Sequence, residues 1–252
     1  MFDFNVKLGH WPYRPVRGLS ALLEAMDALG VDRAAVSSLS AAHFLNPQDG
    51  NEELLRLIAG KRDRFVPFAV CRPNFTGFLR DLEVCLDEHG MKGAVLYPNY
   101  HGFGLDDPAL EPLMTEAARR GFPVCVQAAM EDVRRQFRDH KVEDVSPAAI
   151  GAFARAYPGA TVVALGLKFG QPEQAGEPLP ANLFFDTSNY ETLGDLEHAV
   201  ARFGADRILL GSNFPMFNPR ANVDKVRAAD IADAARSAIS GDNARRLLGL
   251  RD

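Results

Sequence analysis

Short apolar, β-rich segments recur along this chain, and most are followed by a segment with helical spacing. The apolar segments fall at residues 2–7, 33–39, 65–71, 93–97, 124–128, 161–167, 183–187 and 208–211. Segment 18–29 shows the helical pattern: Leu19, Leu22, Leu23, Met26 and Leu29 share one face, and Gly30 closes it. Further helices are predicted at 51–59, 78–88, 110–120, 132–138, 148–156, 193–203, 223–239 and 242–248. Strands that alternate with helices make a parallel sheet, because each return crossover needs a helix. Eight such units, with no glycine-rich dinucleotide turn after the first strand, predict a closed (β/α)8 TIM barrel rather than an open sheet. Residues 170–182 are rich in Pro, Gly and Glu, so a loop or short helix is expected in place of the sixth helix.

No linker divides the apolar pattern, so residues 1–252 are read as one domain. The 28 basic and 33 acidic residues give a net charge of −5 without a run of one sign, which argues against nucleic acid or an anionic membrane as partner. The longest apolar runs are far too short to span a bilayer, and the first residues lack the order of a signal peptide. Cys71, Cys85 and Cys125 are odd in number and unpaired in spacing, which predicts a reducing, cytoplasmic compartment.

In such a barrel the chemistry sits in the loops after the strands. Here those loops contain His10, Trp11 and Arg14; Arg72 and Asn74; Tyr97, Asn99 and His101; and Asn213 to Asn218. Prolines and glycines stiffen the turns, and aromatic and amide groups alternate. This composition suits a pocket for a small, flat or apolar molecule with a few polar anchors. Arg14 and Arg72 are suited to hold an acidic group, since a guanidinium grips a carboxylate with two bonds. Strand alternation puts Asp3, Asn5 and Lys7 on one face. The charged run from Glu131 to Lys141 reads mainly as a solvated helix, with Glu131 as a candidate pocket residue. Cys71 reads as a buried, inert thiol.

Four stretches resemble the amidohydrolase superfamily, in particular its amidohydrolase-related branch of hydrolases and decarboxylases: residues 3–9, 96–103, 182–188 and 208–215. The segment 241–248 is similar to that branch's last helix. The resemblance runs through nearly the whole chain and implies the barrel fold. It also implies a divalent metal held by His-x-His on the first strand, histidines on the fifth and sixth strands, and a final aspartate. Those places hold Asn5 and Lys7, Gln127, the neighbourhood of Gly166, and Asn213. A protonated lysine has no lone pair to give, and an amide oxygen is a feeble ligand for zinc. The expectation is therefore that no metal and no other cofactor is used. The branch often self-associates, which points to a homodimer.

If the family register holds, Asn5, Lys7, Gln127 and Asn213 converge at the barrel mouth, with Lys168 and Asp186 at neighbouring strand ends. Lys7 pairs with a nearby acid such as Asp186, or it forms with the amides a cup for a carboxylate. The first functional expectation is a metal-independent hydrolase or lyase for a small carboxylate-bearing or carbonyl substrate. Lys7 or Lys168 would supply positive charge, Asn5, Gln127 and Asn213 would donate hydrogen bonds, and Asp186, Glu131 or His101 would move the proton. A covalent variant places a Schiff base on Lys168. The contrary expectation is a catalytically inactive barrel that binds a small molecule or serves as a scaffold.

Overall fold

The computed structural model of the protein describes residues 1–250. Its strands are β1 (Phe2–Leu8), β2 (Arg33–Ser38), β3 (Phe65–Pro67 and Ala69–Cys71, interrupted at Phe68), β4 (Ala94–Leu96), β5 (Val124–Gln127), β6 (Val162–Leu165), β7 (Leu183–Asp186) and β8 (Ile208–Leu209). Every neighbouring pair from β1 to β8 is parallel. The break in β3 does not open the sheet, because the Phe68 amide donates to Val36 O at 2.9 Å. The last strand meets the first through Phe4 N to Leu210 O at 2.7 Å and Lys7 N to Phe214 O at 2.8 Å. The parallel ladder thus runs round to its start, as a (β/α)8 barrel requires.

The helices are α1 (Leu19–Leu29), α2 (Pro47–Leu57), α3 (Phe78–Glu83), α4 (Pro98–His101), α5 (Glu111–Arg120), α6 (Pro147–Ala156), α7 (Gln171–Gln174), α8 (Asp195–Phe203), α9 (Pro219–Ala228), α10 (Asp233–Ser237) and α11 (Asn243–Leu247). Apolar side chains separate into two groups that follow strand alternation. Ala94, Leu96, Val124, Val126, Val162 and Ala164 pack outwards against the helices. Val95, Tyr97, Cys125, Val163 and Leu165 fill the interior with Phe2, Phe4 and Phe68. Among the described residues no helix is long and apolar enough to cross a membrane.

The sixth unit carries only the four-residue α7, as its composition predicts. Two predicted helices are corrected. Residues 132–138 form turns, not a helix. Asp132 Oδ1 accepts the Arg134 amide at 2.7 Å and also holds the Arg134 guanidinium, so side chain and backbone close a local turn in place of a helical one. The predicted helix over 223–239 is broken into α9 and α10, with the chain extended at Ala229. The reading of 97–103 as an open loop is likewise corrected, since Pro98 starts the short helix α4 and Gly102, in the left-handed region, ends it.

Strand alternation in β1 also needs correction. The pairing passes from Asp3–Ala34 to Val6–Val36, so β1 carries one extra residue. Asp3 Oδ1 accepts the Asn5 amide at 3.1 Å within this bulge. Phe4 consequently joins the interior beside Phe68, and the next residue, Asn5, reaches the polar groups at the strand ends. Asp3 does not simply share their face; its carboxylate instead accepts the Ser212 amide at 2.9 Å.

Candidate active site

Four strands bring their C-terminal residues to one buried polar cluster. From β1, the Lys7 ammonium donates to Asn213 Oδ1 at 2.7 Å and to Asn5 Oδ1. The Asn5 amide nitrogen donates to Asp186 Oδ2 at 2.6 Å and lies 3.5 Å from Ser188 Oγ. Asp186, at the end of β7, also accepts the Gly166 amide at 2.8 Å and the Ser188 hydroxyl at 3.0 Å on Oδ1. Asn213 follows β8 with φ +52, a left-handed conformation that Asn tolerates, and its amide donates to Met130 O at 2.9 Å. Lys7, Asp186 and Asn213 each have 0% exposure, so solvent does not reach the cluster.

Burial sets the electrostatics. Removal from water lowers Lys7 to about 7, against the opposing attraction of Asp186 and Asp3. Burial raises Asp186, and its hydrogen bonds from Gly166 and Asn5 and the Lys7 charge act against that rise. Burial likewise raises Asp3 to about 6. Asn5 stands between Lys7 and Asp186, so the expected direct ion pair is relayed through an amide: cation to amide oxygen, amide N–H to carboxylate.

The other residues expected at the site take different places. Gln127 is buried at the end of β5 and donates to Ala129 O at 2.6 Å, while its Oε1 is buried without a partner among the described residues. Tyr97 points inwards, with its hydroxyl 3.2 Å from Ser37 Oγ and donating to Ser38 O at 3.3 Å. His101 Nε2 donates to Ala41 O at 2.9 Å. Burial lowers this imidazole to about 4, so it is neutral and serves to tie α4 to the loop after β2. Lys168 is at the rim, half-exposed and paired with Asp144 at 2.6 Å. That is not the desolvated setting in which a lysine becomes a nucleophile. Arg72 holds Asn74 Oδ1 at 3.0 Å, and the exposed Asn99 donates to Glu143 O at 2.5 Å.

The mouth itself is filled. Trp11 is buried and meets Tyr13, His43 and Tyr100 edge-on, with centroids 5.7, 4.7 and 5.9 Å away. Tyr13 stacks on Phe137 and His140 at 5.6 and 5.1 Å, which folds the 131–141 segment over the opening. Arg14 pairs with the buried Glu131 and clamps the two loops together. Trp11, Tyr13, His43 and Tyr100 thus crowd the loops in which the sequence places a pocket for a small, flat or apolar molecule. A recess of about 520 Å³ remains along residues 9–16 alone.

The sequence matches the Amidohydro_2 (amidohydrolase) family over residues 7–250. The chain belongs to the amidohydrolase family. No curated protein matches it. Among solved structures, the barrel is similar to 5-carboxyvanillate decarboxylase from Sphingomonas paucimobilis, with 15% identity, 99% of each chain covered and a TM-score of 0.80. It is also similar to 2,6-dihydroxybenzoate decarboxylase from Rhizobium (18% identity, 98% of each chain, TM-score 0.73). A third, 4-oxalomesaconate hydratase from Rhodopseudomonas palustris, has 18% identity and a TM-score of 0.68, over 91% of this chain and 80% of that one. These likenesses are of fold. A dihydroxybenzoic acid decarboxylase from Polaromonas of the same architecture (17% identity, 98% of this chain and 96% of that one, TM-score 0.76) carries bound manganese.

The residues present in this amidohydrolase do not fit such an ion. Among the described residues no group of three or more His, Cys, Asp or Glu is arranged to hold a metal. In the buried cluster an ammonium already takes the amide oxygens of Asn5 and Asn213. A second cation there would meet Lys7's charge and lack the imidazole and carboxylate donors that divalent metals prefer. Sequence reasoning missed Ser188, Gly166 and Ser212 as partners of Asp186 and Asp3. The polar run Asp186-Thr187-Ser188-Asn189 after an apolar strand was the available signal for Ser188. The backbone donors of Gly166 and Ser212 carry no side-chain signal at all.

Proposed function

We propose that this amidohydrolase is a metal-independent lyase or hydrolase for a small carboxylate-bearing or carbonyl substrate, with Lys7 as its central cation and proton carrier. One observation carries the reading: the Lys7 ammonium is held by two amide oxygens and linked through Asn5 to the Asp186 carboxylate. A buried lysine brought to about 7 gives and takes a proton readily at neutral pH. In a decarboxylation, the carbon–carboxylate bond breaks and carbon dioxide leaves. The electron pair left on carbon then takes a proton from Lys7 Nζ, and water admitted when the mouth opens gives the neutral amine a new proton, leaving hydroxide that combines with the carbon dioxide as bicarbonate. The protonated lysine also opposes the negative charge that develops before the transfer. The names of the similar decarboxylases and hydratase support the substrate class. Entry of substrate requires the Arg14–Glu131 clamp to open.

A second reading is favoured by that same closure: a barrel that has lost catalysis and acts as a small-molecule-binding or scaffold protein. The test is turnover of aromatic carboxylates and 2-oxo acids by chelator-treated protein, followed by NMR. The first reading expects product with the wild type, none with Lys7→Met, and retained activity with Lys168→Ala. No product across the panel, with Arg14→Ala inactive as well, establishes the second reading.

A further inference from the structure

A sizeable cavity lies beside the buried cluster. It holds about 560 Å³ between the loop after β7 and helix α9. Its inner wall is polar and its flanks are apolar. Ser188, Asn222 and Lys225 form the inner side, and Tyr190, Leu196 and Ala229 supply buried apolar surface. Leu193, fully exposed, stands at its edge.

Lys225 is the distinctive group. It leaves α9 from its inward side, and its ammonium donates to Thr187 O at 3.0 Å and Asn222 Oδ1 at 2.9 Å. A lysine ammonium has three donors. Among the described residues the third finds no protein acceptor, and no carboxylate pairs with it within salt-bridge distance. Three acids also line the cavity: Asp224 lies 3.7 and 3.6 Å from Arg220 and Arg227, Glu197 accepts the Asp230 amide at 2.9 Å, and Glu191 is not within salt-bridge distance of Lys225. A largely buried cation with an unspent donor on the wall of a mostly apolar cavity wants an anion whose body is apolar. Burial lowers Lys225 to about 8, with Asp186, Asp195 and Glu191 opposing the shift, so it remains charged at pH 7.

We propose that the cavity between the β7 loop and α9 is a binding site for a small monocarboxylic acid, its carboxylate on Lys225 and its apolar body against Tyr190 and Leu196. The volume is that of a small-ligand pocket. The site stands apart from the aromatic-filled mouth, and it does not require the Lys7 cluster to be catalytic. It nevertheless touches that cluster, because Ser188 lines the cavity and donates to Asp186.

The experiment uses the full chain with benzoate as probe and benzyl alcohol as its neutral counterpart, in ligand-observed NMR titrations at pH 7. Wild type is expected to bind benzoate saturably, with benzyl alcohol about tenfold weaker. Lys225→Gln is expected to weaken benzoate about tenfold and leave benzyl alcohol unchanged. Ala221→Trp, on the exposed rim of α9, is expected to block both ligands by filling the cavity. Lys7→Met is expected to leave both titrations as they are. Circular dichroism melting of each variant confirms that it is folded before binding is read. The proposal is overturned if benzoate shows no saturable binding, if it binds no better than benzyl alcohol, or if Ala221→Trp leaves its affinity intact. Because the readout is binding, its failure leaves the turnover test of the Lys7 cluster unaffected.

Discussion

Lys7 Nζ lies 2.7 Å from Asn213 Oδ1, across the seam where the last strand of the barrel meets the first. The same seam is closed by Lys7 N to Phe214 O at 2.8 Å, so the residue that carries the central charge also helps to complete the barrel. Backbone closure and the buried cluster thus share a residue in this fold.

Replacing Lys7 therefore has a stability signature. Lys7→Met leaves the buried Asn5 and Asn213 oxygens without their donor and Asp186 without the nearby cation. A loss of about 2–4 kcal/mol is expected, read as a lower urea midpoint.

The pH dependence follows from the same burial. Lys7 titrates near 7 in the fold and near 10.5 when unfolded, so between those values the unfolded chain holds more protons. Stability from this group accordingly rises with pH across that window. Asp3 acts in the opposite sense: its pKa is raised from 3.8 to about 6, the fold holds more protons between them, and stability falls as pH rises through that interval. Asp186, also raised, adds to this acid-side fall. Urea midpoints measured against pH should show both slopes in the wild type, and Lys7→Met should lose the alkaline rise.

Trp11 is the only tryptophan and is buried at the mouth, so its fluorescence reports directly on closure. Arg14→Ala strands Glu131 in a buried place without its guanidinium. The expected result is red-shifted emission, easier acrylamide quenching, and a stability loss of about 1–3 kcal/mol. Unchanged emission would show that the clamp does not hold the mouth.

Gly211 faces Asp186 so closely that an added Cβ would lie 2.3 Å from Asp186 Oδ2. Gly211→Ala must displace that carboxylate and is expected to cost about 2–3 kcal/mol in thermal or urea unfolding. Gly18, with open space around it, serves as the comparison. Because Gly18 is the N-cap of α1, where alanine is disfavoured, its replacement should still cost about 0.5–1 kcal/mol, below the Gly211 value.

Metal uptake offers a separate check on the donor set. Wild-type protein exposed to manganese or zinc and then desalted is expected to show no stoichiometric metal by elemental analysis. The double variant Lys7→His, Asn213→Asp removes the ammonium and supplies an imidazole and a carboxylate, so its metal content should rise.

Much of the architecture was legible in short-range patterns. Apolar runs of strand length, helical spacing at Leu19, Leu22, Met26 and Leu29, and Gly30 at a helix end all reflect local backbone preferences. Those preferences act within a few residues, so they survive reading one segment at a time. The same reading failed at residues 132–138, where the pattern of charges suggested a helix but an Asp132 turn competes with it. It failed again at the β1 bulge, because an extra residue in a ladder is defined only by the partner strand.

The sequence by itself determined that eight strands separated mostly by helices would form, and it carries Asn5, Lys7, Gln127 and Asn213 where the resemblance leads one to expect metal ligands. Only the tertiary structure decided what those residues do with one another. Asn5 relays Lys7 to Asp186 across 181 positions of chain, Trp11 and its aromatic neighbours seal the mouth, and the open cavity moves aside to Lys225. The physical reason is that burial and hydrogen-bond partnership belong to pairs of groups far apart in sequence. Their energies exist only once the barrel has closed and water has been removed from between them.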